Sequence, residues 1–318
     1  MVSMRSLGDR IVRQAYRAGY RVLPRLLQPS ARGPLVLLYH SVEDACDVWT
    51  NRLGINITPR RFEDHVRFLT ENFRVVPFAH ICRADAAPDE IAITFDDGYA
   101  SITNAVLPIV EKYRCPIKVY VTTENLTEIN WLNKLCYLLN VLSLAELSAL
   151  AEAALGVPTH RPVRRRDFID HFDPERTPPA IDDFFHRAYR GGARRLYLTV
   201  EEVRQLAAHP LVEIGSHTRR HYPLTRLDAA RLREEVVENH WQLNRLFDNK
   251  VQGFAIPFGY RTHRTPEIVA AIGEVDAFVV SAYGGRLDFQ ACHGLPEVKR
   301  IGEGGNLGAL WYCLRHPN

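Results

Sequence analysis

A chain of 318 residues with 46% apolar content can bury a sizeable core, and an α/β barrel of about 200–250 residues or more fits that length as one domain. Charged residues make up 24% and the formal net charge is +3, a balance that argues against a nucleic-acid binder. Six cysteines are scattered without a CxxC pair, which argues against a disulfide framework or a cysteine metal site and favours free thiols in a reducing compartment.

The first pattern is an amphipathic helix over residues 5–23. Arg10, Arg13, Arg17 and Arg21 fall on one face, and Leu7, Ile11, Ala15, Ala18 and Val22 gather on the other. Pro24 ends it. Such a helix most often docks on its own domain with its arginines solvated. A basic amphipathic helix also suits peripheral contact with an anionic membrane surface. Charges at Arg5, Asp9 and Arg10 interrupt the apolar region a secretory signal needs, and no run of about 20 apolar residues occurs. A cytoplasmic location, with membrane association through this helix as its variant, is therefore expected. Residues 1–33 read as a separate segment and 34–318 as the folded domain.

From Leu35 the chain settles into a rhythm. Leu35 to Leu38 read as a buried strand ending in Tyr39 and His40. Thr58 is a candidate N-cap with Pro59 behind it, opening a helix that carries Phe62, Val66 and Leu69 on one face. Short strands are expected at 73–76 and 91–95, a helix from Tyr99 to Tyr113 and a strand at 117–121. Strand alternating with helix argues for a parallel sheet with crossover helices.

Residues 127–195 break the rhythm. Trp131 to Leu155 is apolar and helix-rich, 157–180 lacks periodicity, and Asp182 to Tyr189 reads as a short helix. An insertion of this length is usually a lid over a site or a flexible linker. The rhythm then returns. Thr199 and Glu202 form a capping box, a strand follows at 211–214, a long helix at 227–247, a strand at 253–256, a helix at 266–272 and a strand at 277–281.

In a parallel α/β barrel the site forms where the strands end. Four polar clusters here follow apolar strands: His40, the pair Asp96-Asp97, His217 with His221, and Pro257-Phe258-Gly259-Tyr260. Each has an ordinary reading by itself. Asp-Asp-Gly is a frequent turn, two histidines four apart are common on surfaces, and a lone histidine is more often a hydrogen-bonded core residue. Together they point to chemistry. If the turn at 217–221 is helical, both imidazoles point the same way, about 5–6 Å apart at Cβ. Two histidines and one carboxylate make a metal site with open positions. The doubled aspartate then divides its work: one carboxylate faces the cation, which relieves the repulsion, and the other acts as a base. An imidazole, which titrates near neutrality, suits His40 as a general acid.

"TFDDGY" (94–99), "SHTRRH" (216–221) and "FAIPFGY" (254–260) resemble, in order and spacing, the first three motifs of the NodB-homology polysaccharide deacetylases, carbohydrate esterase family four. The resemblance runs from about Pro34 to Ile301. It implies a distorted (β/α)7-8 barrel of parallel strands, here with a helical insertion, and a metal-dependent enzyme. It assigns Asp96 as general base, and Asp97, His217 and His221 as metal ligands. Thr218 would support the second motif, and Pro257, Phe258, Gly259 and Tyr260 would line an acetyl pocket, with a backbone N–H near Phe258 facing the oxyanion. Two departures stand out. The family's third motif often begins with an arginine that orients the base, and this position is Ala255. The late Leu-x-His motif is not evident, since His293 in "ACHGLP" lacks a preceding apolar strand. Both features resemble a subgroup that includes biofilm poly-N-acetylglucosamine deacetylases, in which the catalytic histidine comes from an early "YH" strand. That resemblance assigns His40 as general acid and pairs Arg300, in "VKRIG", with Asp96.

The implied activity is removal of N-acetyl groups from an amino sugar in an oligo- or polysaccharide or lipid-linked glycan, with release of acetate. The implied cofactor is a divalent metal, zinc first, with cobalt, nickel and manganese as alternatives. The competing expectations are an O-acetyl esterase or deformylase on a sugar, and a catalytically inactive carbohydrate-binding homologue.

Overall fold

Apolar runs buried on both faces build the centre of this molecule, as parallel strands covered by helices require. The computed structural model describes residues 34–44, 47–156, 162–191, 195–248, 250–285, 288–302, 310, 313 and 314. The expected amphipathic helix at 5–23 lies outside them. The strands that ring the barrel are β1 (Leu35–Tyr39), β2 (Glu90–Phe95), β3 (Ile117–Val121), β4 (Val212–Ser216), β5 (Val251–Phe254), β6 (Val279–Ser281), β7 (Leu295–Lys299) and β8 (Ile301–Gly302). A parallel sheet runs β8-β1-β2-β3-β4-β5, with the short strand Arg74–Val75 beside the start of β2. A parallel bridge from Ala255 to Val280 carries it on to β6, and β6 pairs with β7. Only Arg300 separates β7 from β8, which pairs with β1. The ring therefore closes as a distorted barrel.

Alternation along each strand divides the core. Leu35, Leu37 and Tyr39 face outward into a large cluster with Phe62, Val66 and Leu69 of the helix Pro59–Asn72. Val36, Ala92, Tyr120, Ala255, Val280 and Val298 face inward and fill the barrel. The one-turn helix Phe78–Ile81 plugs its lower end with Phe78 and Ile81. Glu213 of β4 holds the plug by accepting from Phe78 N at 2.6 Å and Ala79 N at 3.2 Å.

Sequence signals for helix starts act as read. Thr58 accepts from Arg61 N, and Thr199 with Glu202 forms the capping box of the helix Val200–Ala208. The insertion differs in detail. The helix expected from Asp182 starts at Thr177, since Pro178 and Pro179 fall in its first turn, where prolines lack no needed donor. A further helix, Arg165–Asp170, sits in the stretch without periodicity. With helices Trp131–Val141 and Leu144–Leu155, these form a second core around Trp131, Leu135, Leu138, Phe168 and Phe185. That core reaches Tyr99, the residue after the Asp-Asp-Gly turn, and Phe258 packs against it.

Two helices expected to be regular contain π turns, Ile102–Val106 and Glu234–Glu238. The pattern before His293 also differs: a strand, Asp288–Cys292, does precede it. That strand runs antiparallel to β7, so His293 lies in an exposed hairpin turn. Among the described residues no helix is long and apolar enough to cross a membrane, and Cys82, Cys115, Cys136 and Cys313 are free thiols.

Candidate active site

The Asp-Asp pair sits where β2 ends. Asp96 continues the strand, its N–H donating to the Tyr39 carbonyl at 3.0 Å. Asp97 then takes the left-handed conformation at φ 70°, followed by Gly98 at 73°. Asp96 and Asp97 each keep an oxygen near His217 Nε2, at 3.8 and 3.5 Å. Asn125, from the turn after β3, donates to the Asp97 carbonyl at 3.0 Å and fixes the turn.

Arg300 explains how Asp96 tolerates burial. Its Nη1 and Nη2 donate to the two Asp96 oxygens at 2.6 and 2.7 Å. Nη1 also reaches Thr94 Oγ1, and Nε donates to the Ser281 carbonyl. The guanidinium is fully buried, 5.3 Å from the centre of the Tyr120 ring. Burial pushes a carboxyl up, but Arg300, together with His217, outweighs it and holds Asp96 well below the usual carboxylate range. Burial wins at Asp97, whose carboxyl is raised. An arginine from the link between β7 and β8 thus holds Asp96. At the position where the family often has it, Ala255 lends its carbonyl to His217 instead.

His217 and His221 follow β4, but not on a helix. Thr218 lies at φ 66° and His221 at 59°. A β-branched residue in this region is strained. The condition of a helical turn is not met: a left-handed loop brings the rings together instead, with centroids 5.0 Å apart. Four groups hold the loop. Thr218 Oγ1 accepts from His221 N at 2.9 Å, and Trp131 Nε1 donates to the His221 carbonyl at 3.1 Å. Glu235 accepts from Arg219 N at 3.0 Å and Arg220 N at 2.9 Å, while Thr122 Oγ1 donates to the His217 carbonyl at 3.0 Å. Glu235 comes from the π turn of the long helix. Sequence reading missed it and Trp131; the available signal was a carboxylate on the apolar stripe of that helix.

The donor atoms converge. Asp97 Oδ1 lies 3.5 Å from His217 Nε2 and 3.3 Å from His221 Nε2, and all three ligand atoms fall within 4.8 Å of one another. His217 Nδ1 donates to the Ala255 carbonyl at 2.8 Å. In the neutral ring this leaves a lone pair on Nε2, aimed at a carboxylate oxygen. Burial lowers both histidines to about 4, so they are neutral at physiological pH. Asp97 Oδ1 and His221 Nδ1 are buried without a hydrogen-bond partner. The His217 Nε2 lone pair faces a carboxylate oxygen that has no donor, an arrangement a cation would satisfy, and two imidazoles with one carboxylate fit a divalent metal with open positions.

The remaining expected residues sit around this cluster. His40 is half-buried after β1, and its charge acts on Asp97, Asp96 and His221. Phe258, at φ 62°, lies edge-on to His221 with ring centroids 4.8 Å apart. Gly259 follows at φ 52°, where a Cβ would fall 2.5 Å from Ala282 N, so this turn admits no side chain. Buried Pro257 precedes them. Tyr260 stands half exposed at the mouth, with its ring 5.4 Å from that of His263.

Solved structures share this fold. The putative polysaccharide deacetylase BA0330 from Bacillus anthracis is 15% identical, with a TM-score of 0.59 over 89% of this chain and 69% of that one. IcaB from Ammonifex degensii is 15% identical, with a TM-score of 0.56 over 89% of this chain and 97% of that one. The BpsB deacetylase domain from Bordetella bronchiseptica is 16% identical, with a TM-score of 0.50 over 86% and 97%. At these identities the likeness shows the fold alone. No curated protein sequence is significantly similar to the chain. The sequence profile of the polysaccharide deacetylases matches residues 83–275, more than half of the chain, and the chain therefore belongs to the polysaccharide deacetylase family.

Proposed function

We propose that the protein is a metal-dependent deacetylase that hydrolyses an N-acetyl group on an amino sugar and releases acetate. The observation that carries this reading is the convergence of Asp97 Oδ1 with the Nε2 atoms of His217 and His221 beside a second carboxylate that a buried arginine keeps ionised. Asp97, His217 and His221 would hold the metal, for which zinc suits the mixed nitrogen and oxygen set. When bound, such an ion supplies Lewis acidity toward a carbonyl oxygen and lowers the pKa of a coordinated water from about 15.7 to about 7.

The chain's own residues do the rest. Asp96 accepts the proton of the attacking water at a carboxylate oxygen. Arg300 takes one lone pair from each oxygen and leaves the others free. A carboxylate held this far down is a weak base, which suits a water that is already acidified. The backbone N–H near Phe258 faces the developing oxyanion, where a preorganised donor is worth most. His40, half-buried at the end of β1, protonates the departing amine.

The test is acetate release from N-acetylglucosamine oligomers by zinc-loaded protein. Asp97→Ala and His217→Ala should lose metal and activity together. Asp96→Asn should keep the metal while turnover falls about 10²–10⁴-fold. A fully active Asp96→Asn would remove the assigned base. Parallel assays of acetate and formate release from N- and O-acylated sugars separate this activity from an O-acetyl esterase or a deformylase.

A further inference from the structure

A cleft of about 650 Å³ opens between the insertion and the third motif. That size suits a small organic ligand or part of a larger one. Arg165, Arg166, Arg261 and Lys299 line it against a single carboxylate, Asp170. Asp170 is engaged by Arg166 Nε at 3.0 Å. Arg165 donates to the Leu53 carbonyl at 2.9 Å, and Arg261 lies over the Tyr283 ring at 4.9 Å. Neither has a carboxylate partner among the described residues. The carboxylate nearest to Tyr283, Glu297, is occupied by Arg264 at 2.5 Å and by the hydroxyls of Ser281 and Tyr283. Arg165 and Arg261 therefore give the cleft positive charge that no described carboxylate offsets.

The cleft adjoins the metal triad. His263 lines it, with ring centroids 5.4 Å from Tyr260 and 6.1 Å from Phe258, and Phe258 lies 4.8 Å from His221. One aromatic ring separates the two sites, so a single sugar derivative can reach both. Guanidinium groups pair with phosphate and carboxylate in a planar fork, and an arginine stacked on a ring is already oriented for it.

We propose that this cleft binds an anionic group, a phosphate or a carboxylate, carried by the same molecule as the acetyl group, so that the substrate is an acidic acetylated sugar. The inference rests on the deacetylase reading for its acetyl end only. The test is calorimetric binding to the zinc-loaded full chain at low ionic strength, using N-acetylglucosamine 1-phosphate, N-acetylmuramic acid and neutral N-acetylglucosamine. An acidic sugar should bind about tenfold or more tighter than the neutral one, and added salt should erode the difference. The stronger of the two acidic arms identifies phosphate or carboxylate as the group recognised. Arg165→Gln with Arg261→Gln should bring the affinity ratio to about one, whereas Arg261→Lys, which keeps the charge, should retain part of it. Equal affinities in the wild type, or a ratio unmoved by the double variant, would overturn the anion site. Acetate release is read separately on each ligand. Tighter acidic binding without acetate release supports the anion site and overturns the deacetylase reading, while acetate release with equal affinities does the reverse.

Discussion

Asp96 meets a guanidinium, and Asp97, at its left-handed φ, meets two imidazoles. Their ionisation follows from the partners and from burial. The balance at Asp96 is the more delicate, because burial is its largest influence and Arg300 is the largest one opposing it. Arg300→Gln should therefore raise the Asp96 carboxyl. A base whose pKa rises is lost at a higher pH on the way down, so the acid limb of kcat/KM should move upward and activity should recover partly in alkaline buffer. Removing one partner of a buried pair costs about 3–5 kcal/mol, so Arg300→Lys, which keeps the charge, is the companion. It should fold and show a smaller shift. A pH profile identical to that of the wild type in both variants would remove Arg300 from the catalytic account.

The loop after β4 shows how elements position a site at a local cost. Thr218 and His221 both adopt left-handed backbone, which no local propensity favours. The loop persists because the insertion, the long helix and the segment after β3 each donate to it or accept from it. Thr218 adds the fourth tie, accepting the His221 N–H. Thr218→Ala leaves that donor without its partner, at a cost of about 1 kcal/mol in stability. The ring proposed to bind the metal then loses its setting, so metal affinity should fall about tenfold or more. Competition with a chelator measures this directly, and unchanged affinity would reduce Thr218 to a purely structural role.

At the scale of the molecule, a plugged barrel carries the candidate site at the other end of its strands, and the insertion packs over that end with its own core. Its contributions reach the site: Trp131 ties down His221, and Arg165 forms a wall of the basic cleft. The outer core between barrel and helices contains a buried histidine as well. His65 contacts Tyr39 Oη at 3.1 Å, and burial lowers it from 6.5 to about 4. The unfolded chain takes up this proton first as pH falls. Stability is therefore complete above about pH 6.5 and declines until about pH 4, by about 3 kcal/mol from this group. His65→Gln should remove that share of the acid sensitivity. Denaturant midpoints for both proteins at neutral and acid pH check it, and equal declines would overturn the assignment.

The sequence by itself determined the barrel and most of the residues that gather at the candidate site, because both follow from short-range patterns. A fully buried strand needs an unbroken apolar run, a helix start needs its cap, and residues placed where strands end share one rim of a parallel barrel. Hence His40, the aspartate pair, the two histidines and Arg300 could all be named from the chain, Arg300 by resemblance to a family subgroup. Only the tertiary structure decided how they meet. The i, i+4 spacing of His217 and His221 suggested a helix, but the loop is left-handed because bonds from distant segments outweigh local preference. The π turn that presents Glu235 and the route from Trp131 to His221 depend on contacts far apart in sequence, which no periodicity encodes. The basic cleft is of the same kind: its arginines are separated along the chain by roughly a hundred residues, and they become one electrostatic feature only when the insertion folds against the third motif.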